Sequence, residues 1–449
     1  MNFLFKNLKP KHCTYLLRIL LFLLSLAVVA QSSYAKTLVV GTDYSTISDA
    51  LKDSEDGDLI EVMAGNYNEK LEINKRIHLK GIENPVITAL NGNIIEISGP
   101  GVIVEGFTLK YSGADLSAMD SALLIAKGAN DTIVRKNRLL GVRFGVWNLE
   151  GNNIRIENNT IEGQKEIETN NRGNCINLTG SQQVHVTDNT LSYCRDGIYM
   201  EVCHDATITG NNIRDSRYSI HTMWVDRGLF NKNTVHDNLV GLAIMYTDHS
   251  KINNNLTYGN KTHGLLFIQS VRGEIVGNTV IANTKGIFLH NSVYNTLTSN
   301  LIMNNQLGIH SWGGSVDNII SGNSFINNEI QVKHVASKDQ VWNNNYWSDY
   351  LGWDMGDDGV GDAPYESNSI VDHIFWRYPA AKLLFASPSL QVLWMLEKQF
   401  PVMDVPKIVD NKPSMSPLHK QWKKLLTKYS SYIPERYYGE LEKVSQESH

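Results

Sequence analysis

The chain repeats one asparagine at a nearly constant spacing between residues 137 and 345, and this repeat limits the folds that it can adopt. The repeated positions are Asn137, Asn159, Asn189, Asn211, Asn233, Asn255, Asn278, Asn300, Asn323 and Asn345. The steps are 22 or 23 residues, apart from one of 30. A unit this short, rich in Val and Ile and without a helical period, predicts an all-β chain folded as a right-handed parallel β-helix, with one coil of about 22 residues per repeat.

Two further columns keep the same period. The second asparagine column is Asn238, Asn260, Asn283, Asn305 and Asn328, and a glycine column is Gly197, Gly241, Gly264, Gly286 and Gly308. Asparagine tolerates the left-handed backbone of tight turns, and stacked amide side chains can hydrogen-bond from one coil to the next. We therefore interpret the asparagine columns as structural ladders.

The first 35 residues have the organisation of a signal peptide. Four basic residues precede an apolar run from Ile19 to Ala30, and the small residues Ser33 and Ala35 follow it. This order is typical of a Sec-type signal, which predicts cleavage after Ala35 and export to the periplasm. Without this leader 37 basic and 46 acidic residues remain, a net charge of −9, so neither nucleic acid nor an anionic membrane is an expected partner of the body.

The pattern divides the rest of the chain into four parts. They are an N-terminal cap (36–58), the β-helix (59–345), a C-terminal module (346–415) and a tail (416–449). In the cap, Ser45 precedes Ile47, Ala50 and Leu51, a spacing that predicts a short helix. A solenoid needs such a cap because its first coil would otherwise present an unpaired strand edge.

Two insertions interrupt the repeat, one between Ser112 and Ser121 and one between Gly163 and Gly173. Insertions in a solenoid usually emerge on one face and often form a binding surface. The three cysteines that follow the leader, Cys175, Cys194 and Cys203, allow at most one internal disulfide and leave one thiol. They are either small buried core residues or a source of a copper-binding thiolate.

Strand alternation separates inward from outward side chains on one strand of each coil. The inward column is Ile198, Ile220, Leu242, Leu265, Ile287 and Ile309. The neighbouring positions form a surface that we call the outward strip: Tyr199 and Glu201, His221 and Met223, Ala243 and Met245, Leu266 and Ile268, Phe288 and His290, His310 and Trp312, and Val332 and His334. The core does not need such side chains on the outside, so the strip indicates an interaction site.

Copper binding and protein docking are the two hypotheses for this strip. Thioether sulfur selects Cu(I), and imidazole also binds copper. The candidate copper ligands are His221, Met223, Met245, His290, His310 and His334. The alternative is a hydrophobic docking strip that holds no metal.

A second group of polar residues follows the same strand in the turn. His204, Asp226 and Asp248 are spaced by 22 and 22 residues. Two carboxylates on adjacent coils could act as an acid and a base on a sugar, which supports a polysaccharide lyase, hydrolase or epimerase as the alternative function. Asp and His are also ordinary turn residues, and the outward strip offers only Glu201 as a carboxylate, so we expect no enzymatic activity.

An acidic loop follows the repeat. Asp354, Asp357, Asp358 and Asp362 are interleaved with glycines, and several carboxylates on a tight turn suit a hard cation. Asp354, Asp358 and Asp362 are therefore candidate calcium ligands, although their spacing is not that of an EF-hand and an acidic surface turn is the alternative.

Several segments near the C-terminus carry a resemblance to a known family. They are Asn-Tyr-Trp-Ser-Asp (345–349), Gly-Asp-Ala-Pro-Tyr (361–365), Val-Asp-His-Ile-Phe-Trp-Arg-Tyr-Pro (371–379), Ser-Pro-Ser-Leu-Gln (387–391) and Glu-Lys-Gln-Phe-Pro (397–401). Together with the repeats, they resemble the NosD family. The stretch after Thr37 is also similar to the start of pectin-lyase-like and CASH domains, which supports the fold more than the function.

The resemblance implies a non-enzymatic periplasmic accessory protein that takes part in assembling the copper sites of nitrous oxide reductase. The partners that it implies are an ABC transporter, made of the permease NosY and the ATPase NosF, the copper chaperone NosL and the reductase itself. The chain would then associate with the membrane through the permease. Family members tend to have Asp in place of Gly356 and Gly in place of Asp357, so the acidic loop departs from the family pattern.

Two helices are predicted near the C-terminus. Ser387 and Pro388 can begin a helix that Pro401 ends, and its apolar side is expected either to pack on the last coil or to dock to a permease. In the tail, Trp422, Leu425, Leu426 and Tyr429 share one side, and Lys420, Lys423, Lys424 and Lys428 supply charge. A basic amphipathic helix of this kind suits a membrane surface or a partner.

Overall fold

The computed structural model describes residues 35–113, 115, 117–367, 387–389, 392, 395–396 and 408–433. The predicted signal peptide, apart from Ala35, and most of the helix predicted after Ser387 lie outside these residues. In the part of the chain that is described, no helix is both long enough and apolar enough to cross a membrane.

Three long sheets confirm the parallel β-helix, and successive coils add one strand to each sheet. Strands are numbered in chain order. The first sheet contains β1 (Thr37–Val40), β2 (Leu59–Val62), β5 (His78–Gly81), β8 (Ile103–Glu105), β11 (Ile133–Arg135), β14 (Arg155–Glu157), β17 (His185–Thr187), β20 (Thr207–Thr209), β23 (Leu229–Asn231), β27 (Lys251–Asn253), β30 (Glu274–Val276), β33 (Thr296–Thr298), β36 (Ile319–Ser321), β39 (Val341–Asn343), β41 (Tyr365–Ser367) and β42 (Ile408–Asp410).

The second sheet carries the outward strip on its outer face. It contains β4 (Leu71–Ile73), β7 (Ile95–Ile97), β10 (Ser121–Ile125), β13 (Phe144–Leu149), β16 (Ile176–Thr179), β19 (Asp196–His204), β22 (Tyr218–Asp226), β25 (Val240–Met245), β26 (Thr247–Asp248), β29 (His263–Ile268), β32 (Lys285–His290), β35 (Leu307–Trp312) and β38 (Ile330–Val335).

The third sheet and the helices complete the described structure. The third sheet contains β3 (Asn66–Asn68), β6 (Val86–Thr88), β9 (Thr108–Lys110), β12 (Arg138–Leu140), β15 (Thr160–Glu162), β18 (Thr190–Ser192), β21 (Asn212–Arg214), β24 (Thr234–His236), β28 (Leu256–Tyr258), β31 (Thr279–Ile281), β34 (Leu301–Met303), β37 (Ser324–Ile326) and β40 (Tyr346–Trp347). The described residues include the α-helices α1 (Ile47–Asp53) and α2 (Trp422–Lys428) and short 3-10 helices at Thr169–Asn171 and Ser430–Tyr432, and residues 388–389, 392 and 395–396 are also helical.

The asparagine ladder lies buried in one turn of the coil, as predicted. Asn255 accepts hydrogen bonds at Oδ1 from the backbone N–H and from Nδ2 of Asn233, both at 3.0 Å. The Nδ2 of Asn233 also donates to the carbonyl oxygen of Ile208 at 2.9 Å. The left-handed backbone belongs to the residue before the ladder position, such as Lys232 with a φ of 53°. The ladder asparagine is therefore selected for its amide and not for its backbone freedom.

The glycine column marks a close approach between successive coils. A Cβ on Gly241 would lie 2.2 Å from the carbonyl oxygen of Gly264, and one on Gly286 would lie 2.6 Å from that of Gly308. Because these contacts involve backbone atoms, no side-chain movement could relieve them. The second asparagine column bridges the same coils, with Asn260 Oδ1 accepting from the backbone N–H of Asn238 at 3.1 Å.

The short helix predicted near the N-terminus is present, and it begins one residue later than expected. The N-cap of α1 is Thr46 instead of Ser45, and its hydroxyl accepts a hydrogen bond from the backbone N–H of Asp49 at 3.1 Å. Ile47, Ala50 and Leu51 are buried against the core. The first coil thus has its apolar opening covered.

The described part of the C-terminal module closes the other end of the β-helix. Strand β42 pairs with the last coil strand β39, and β41 adds to β42 in the antiparallel sense. The ring of Trp347 stacks between those of Phe325 and Tyr365, with centroid distances of 4.2 Å on both sides. Packing on the last coil is therefore one role of this module.

The tail packs on the β-helix itself, which differs from the membrane-facing helix that its amphipathic pattern suggested. Leu426 and Tyr429 are buried in a cluster with Ile281, Leu301 and Met303 of the third sheet. The apolar side of α2 is consequently occupied by the chain's own coils, while its lysines remain at the surface.

Two of the described cysteines form a disulfide, and the third is a free thiol. Cys175 and Cys194 form a disulfide between adjacent coils, with a Cα–Cα distance of 5.5 Å. Cys203 is free and fully buried, and burial raises the pKa of its thiol to about 11. A copper-binding thiolate at Cys203 is therefore disfavoured.

Candidate functional site

The predicted facing of the strip is confirmed from Ile198 to Ile309. These six inward residues are completely buried, and the strand registers align them from coil to coil. His221 pairs with Ala243 in the first outward column, and Glu201 pairs with Met223 in the second.

The last coil breaks the predicted facing. Val332, and not Lys333, pairs with Ile309, so Val332 belongs to the inward column. His334 pairs with Ser311 between the two outward columns and is only 5% exposed. The prediction that Val332 and His334 point outward is wrong because this step is 23 residues long, and a shift of one residue exchanges the two faces of a strand.

Several side chains of the outward strip pack against one another and are buried, although they point away from the core. Val240, Ala243, Leu266 and Phe288 form an apolar cluster on the outer face of the second sheet, and each is buried. Met245 packs against this cluster and remains half-buried. The outer face of the sheet is thus an organised apolar surface and not a scatter of single residues.

Histidines and aromatic rings continue this surface toward the last coils. The ring of Phe288 lies between those of His263 and His310, at centroid distances of 5.3 and 5.1 Å. Trp312 stacks on His310 at 5.9 Å and is 49% exposed. Burial, assisted by the positive charge of Lys285, lowers the pKa of His263 and of His310 to about 4, so both imidazoles are neutral at ordinary pH.

His221 is held by a buried carboxylate that the facing argument missed. Its Nδ1 lies 2.9 Å from Oδ2 of Asp196, which is 1% exposed and also accepts two hydrogen bonds from Arg217 at 2.9 and 2.7 Å. Burial alone would raise the pKa of Asp196, but the hydrogen bonds from His221 and Arg217 hold it below its ordinary value. One feature of the sequence could have indicated this contact: an acidic residue lies directly before Gly197. The glycine column marks where each outward strand begins, so this acidic side chain lies beside the strip.

The hydrogen bond at Nδ1 leaves Nε2 of His221 as the ring nitrogen that can bind a ligand. Met223 lies two residues further along β22, and Met245 occupies the same column on the next coil, since Thr222 pairs with Ile244. Neutral imidazole and thioether are soft donors suited to Cu(I), and a histidine that binds metal commonly donates its other N–H to a carboxylate. The donor atoms of His221, Met223 and Met245 therefore have the chemistry that Cu(I) prefers.

The six candidate copper ligands do not form one site. His290 and His310 lie three and four strands away from His221 along the second sheet, or roughly 14 and 19 Å at the usual spacing between strands. His334 faces inward. The strand register places His221, Met223 and Met245 on the neighbouring strands β22 and β25, and ring contacts join His290, His310 and Trp312 three and four strands away.

Asp226 and Asp248, which the sequence placed in a turn, are the last residues of strands β22 and β26, because the strand continues beyond the predicted turn. Asp226 pairs with Asp248, and together with His249 they offer ligand atoms that lie within 4.8 Å of one another. Arg227 forms an ion pair with Asp226, and Arg272 forms one with Asp248. Both carboxylates are therefore already paired with cationic side chains in partly exposed ion pairs.

The acidic loop is organised by its own backbone. Asp354 accepts a hydrogen bond from the N–H of Gly359 at 2.8 Å, Asp358 from Val360 at 2.9 Å, and Asp362 from Met355 at 2.6 Å. Carboxylates that cap N–H groups in this way stabilise a turn. The three predicted calcium ligands thus have a structural role in the loop.

A family model and two relatives identify one family for this chain. A family model described as "Periplasmic copper-binding protein (NosD)" matches residues 157–352. A "Probable ABC transporter binding protein NosD" from Pseudomonas aeruginosa is 34% identical over 371 residues, which cover 78% of this chain and 87% of that protein. A protein of the same name from Stutzerimonas stutzeri is 36% identical over 372 residues, covering 78% and 85%.

Solved structures share the fold at low identity. The A-module of the mannuronan C-5 epimerase AlgE4 from Azotobacter vinelandii has a TM-score of 0.51 at 13% identity, covering 65% of this chain and 93% of that one. A family 28 exopolygalacturonase from Yersinia enterocolitica has a TM-score of 0.52 at 11% identity, covering 68% and 78%. These likenesses show the pectate-lyase-like β-helix and carry no argument about activity. The identity to two NosD proteins over most of their length shows that the chain belongs to the NosD family.

Proposed function

We propose that this protein is a non-enzymatic periplasmic accessory protein that assists assembly of the copper sites of nitrous oxide reductase. Its relatives are named as ABC transporter binding proteins, and the family description is of a periplasmic copper-binding protein. The partners in this proposal are the permease NosY with the ATPase NosF, the copper chaperone NosL and the reductase. Export by the predicted signal peptide would place the chain in their compartment.

The observation that carries the proposal is the ligand set around His221. Asp196 orients the imidazole through Nδ1, and two thioethers lie on the same face within two adjacent strands. A site of one imidazole and two thioethers would hold Cu(I) without a charged ligand, which suits an ion that must be passed on. We therefore propose that His221, Met223 and Met245 hold copper as cargo.

The other end of the strip serves docking in this proposal. Phe288, His290, His310 and Trp312 form a continuous ring cluster in which Trp312 is exposed. Aromatic side chains with one open face are enriched in protein interfaces. We assign this end to contact with the chaperone or the reductase, beside the copper ligands.

The transporter contact is assigned to the C-terminal module. Val392, Met395 and Leu396 are exposed apolar residues, at 53%, 62% and 50%. The double substitution Met395→Ser with Leu396→Ser should reduce co-purification with the permease and leave the thermal midpoint unchanged. Leu90→Ser with Leu351→Ser, at positions 91% and 94% exposed, is the matched control. Unchanged co-purification in the first double variant would place the contact elsewhere.

A polysaccharide-modifying enzyme is the competing function. It would draw on Asp226 and Asp248, which are held by Arg227 and Arg272. Incubation of the purified protein with uronate polymers should therefore give no cleavage and no epimerisation. Activity that Asp226→Asn abolishes would overturn the non-enzymatic assignment. Calcium is not part of the proposal, because backbone N–H groups already engage the loop carboxylates.

The copper content of the reductase tests the proposed role in cells. Reductase isolated from cells that carry Met223→Ser with Met245→Ser should contain less copper than reductase from wild-type cells. The control Met63→Ser with Met355→Ser removes two exposed thioethers far from the strip. A fully loaded reductase from the Met223 and Met245 double variant would show that these thioethers have no part in copper delivery.

A further inference from the structure

The insertion between Gly163 and Gly173 forms one wall of a pocket that has no part in the proposed function. The pocket has a volume of about 350 Å³, within the range of small-molecule sites. The insertion contributes Thr169, Asn170 and Arg172, and the adjoining coils contribute Tyr193, Asp215, Ser216, Arg217, Asp237, Leu239 and Lys261. The pocket therefore lies at the corner between the third and second sheets.

Arg172 is built into the pocket wall without an anionic partner. Its guanidinium donates to the carbonyl oxygens of Ile167 at 2.7 Å, Lys165 at 3.0 Å and Asp215 at 3.2 Å. Among the described residues it forms no ion pair with a carboxylate. Burial lowers the pKa of Arg172, an effect that the nearby charge of Asp215 only partly offsets. The wall thus retains a partly desolvated positive charge.

Three cationic side chains lie close to the ring of Tyr193, which also lines the pocket. The charged groups of Lys165, Arg172 and Arg214 lie 5.3, 6.0 and 5.2 Å from the centre of its ring. Cations are attracted to the face of an aromatic ring, which holds these side chains close to Tyr193, itself a lining residue of the pocket.

The acidic side chains of the pocket are already paired, and two of its cations are not. Asp215 forms an ion pair with Arg214, and Asp237 interacts with His236 and accepts a hydrogen bond from the hydroxyl of Tyr432 at 3.1 Å.

Arg217 is neutralised by Asp196. Lys261 has no side-chain partner within the described part of the chain, and Arg172 has only carbonyl partners. The pocket therefore presents two uncompensated positive charges.

We propose that this pocket binds a small oxyanionic molecule, one that carries a carboxylate or a phosphate, through Arg172 and Lys261. The three carbonyl contacts leave two of the five N–H groups of the Arg172 guanidinium for the oxygens of such a group, and the ammonium of Lys261 adds a mobile point charge. The hydroxyl of Thr169 and the amide of Asn170 supply neutral hydrogen-bonding groups for the rest of the ligand. The insertion exists, on this view, to supply one wall of the site.

Calorimetric titration of the full mature chain tests the site with three probes: inorganic phosphate, D-glucuronate and vesicles containing phosphatidylglycerol. At least one should bind, and raising the salt concentration should weaken the binding, since the contact is electrostatic. Phosphate or glucuronate binding would assign the site to a free anion, whereas binding of vesicles alone would assign it to a lipid headgroup. Absence of binding by all three at millimolar concentrations would overturn the proposal.

Variants separate the pocket from general surface charge. Lys261→Gln should weaken binding by about tenfold or more and leave the thermal midpoint unchanged, because Lys261 holds no described partner. Arg172→Gln should weaken it further but also loosens the insertion, and Arg217 is avoided because it holds Asp196. Lys338→Gln, at an exposed turn after β38, is the control. Equal affinity of Lys261→Gln and Lys338→Gln would also overturn the proposal.

Discussion

Asn345 donates its backbone N–H to Oδ2 of Asp410 at 2.9 Å and its side-chain Nδ2 to the same oxygen at 3.1 Å. This carboxylate takes the place that the next asparagine would occupy, so Asp410 ends the ladder 65 residues after Asn345 in the sequence. Trp347 Nε1 donates to the same oxygen at 3.2 Å. The last coil is thereby completed by a side chain that the repeat does not contain.

Removal of this terminal acceptor should destabilise the β-helix. Asp410→Ala leaves three buried donors of Asn345 and Trp347 without that acceptor, at a cost on the order of 3 kcal/mol in the free energy of unfolding. Asp410→Asn keeps an acceptor oxygen and should lose less. Urea unfolding measures both, and an unchanged midpoint for Asp410→Ala would contradict the terminal role.

A substitution in the middle of the ladder should also be costly. Asn255→Leu removes the acceptor for the N–H and Nδ2 groups of Asn233, with an expected loss of about 1–3 kcal/mol. Asn343→Leu, at an exposed strand position, is the matched control and should change stability by less than about 0.5 kcal/mol. Equal unfolding midpoints for the two variants would argue against a buried ladder.

The tail should be protected by its contact with the third sheet. Leu426 is 1% exposed, so Leu426→Ala should weaken the contact by about 2–3 kcal/mol. Limited trypsin digestion should then cut faster at the neighbouring lysines. Leu418→Ala, at a position 54% exposed, should not change the rate. Rapid cutting of the wild-type chain at Lys423 and Lys424 would show that the tail does not pack as described.

Acid should destabilise the strip through its buried histidines. Burial lowers the pKa of His263 and His310 to about 4, from an ordinary value near 6.5. The unfolded chain therefore takes up these protons first, and stability should fall as the pH decreases from about 6.5 to about 4, by up to roughly 3 kcal/mol for each histidine. Unfolding midpoints of His263→Asn with His310→Asn should depend less on pH than those of wild type. His204→Asn, at the partly exposed end of β19, is the control.

The sequence was sufficient to predict the fold because several features of the repeat indicate it independently. The ladder, the glycine column and the inward residues from Ile198 to Ile309 each predict the same coil. The predicted orientation of His334 was wrong because one additional residue in the coil exchanges the two faces of the strand. The spacing alone does not show whether that residue is inserted before or after the strand.

The candidate site was predicted only in part. The sequence placed His221, Met223 and Met245 on one face, but it did not show that Asp196 holds His221 or that Arg217 reaches Asp196. Those contacts join residues 21 and 25 positions apart, and they depend on side-chain length and direction. For the same reason the burial of Phe288 and His310 could not be read from alternation, which separates the faces of a strand without showing how tightly one face packs.

Competition for Cu(I) tests the central claim most directly. The purified mature protein should bind one Cu(I) ion in the presence of a competing chelator of known affinity. His221→Gln, and Met223→Ser with Met245→Ser, should each weaken this binding by about tenfold or more, while Met63→Ser with Met355→Ser should match wild type. The same Cu(I) affinity in all four proteins would contradict the assignment of His221, Met223 and Met245 as the copper-holding site.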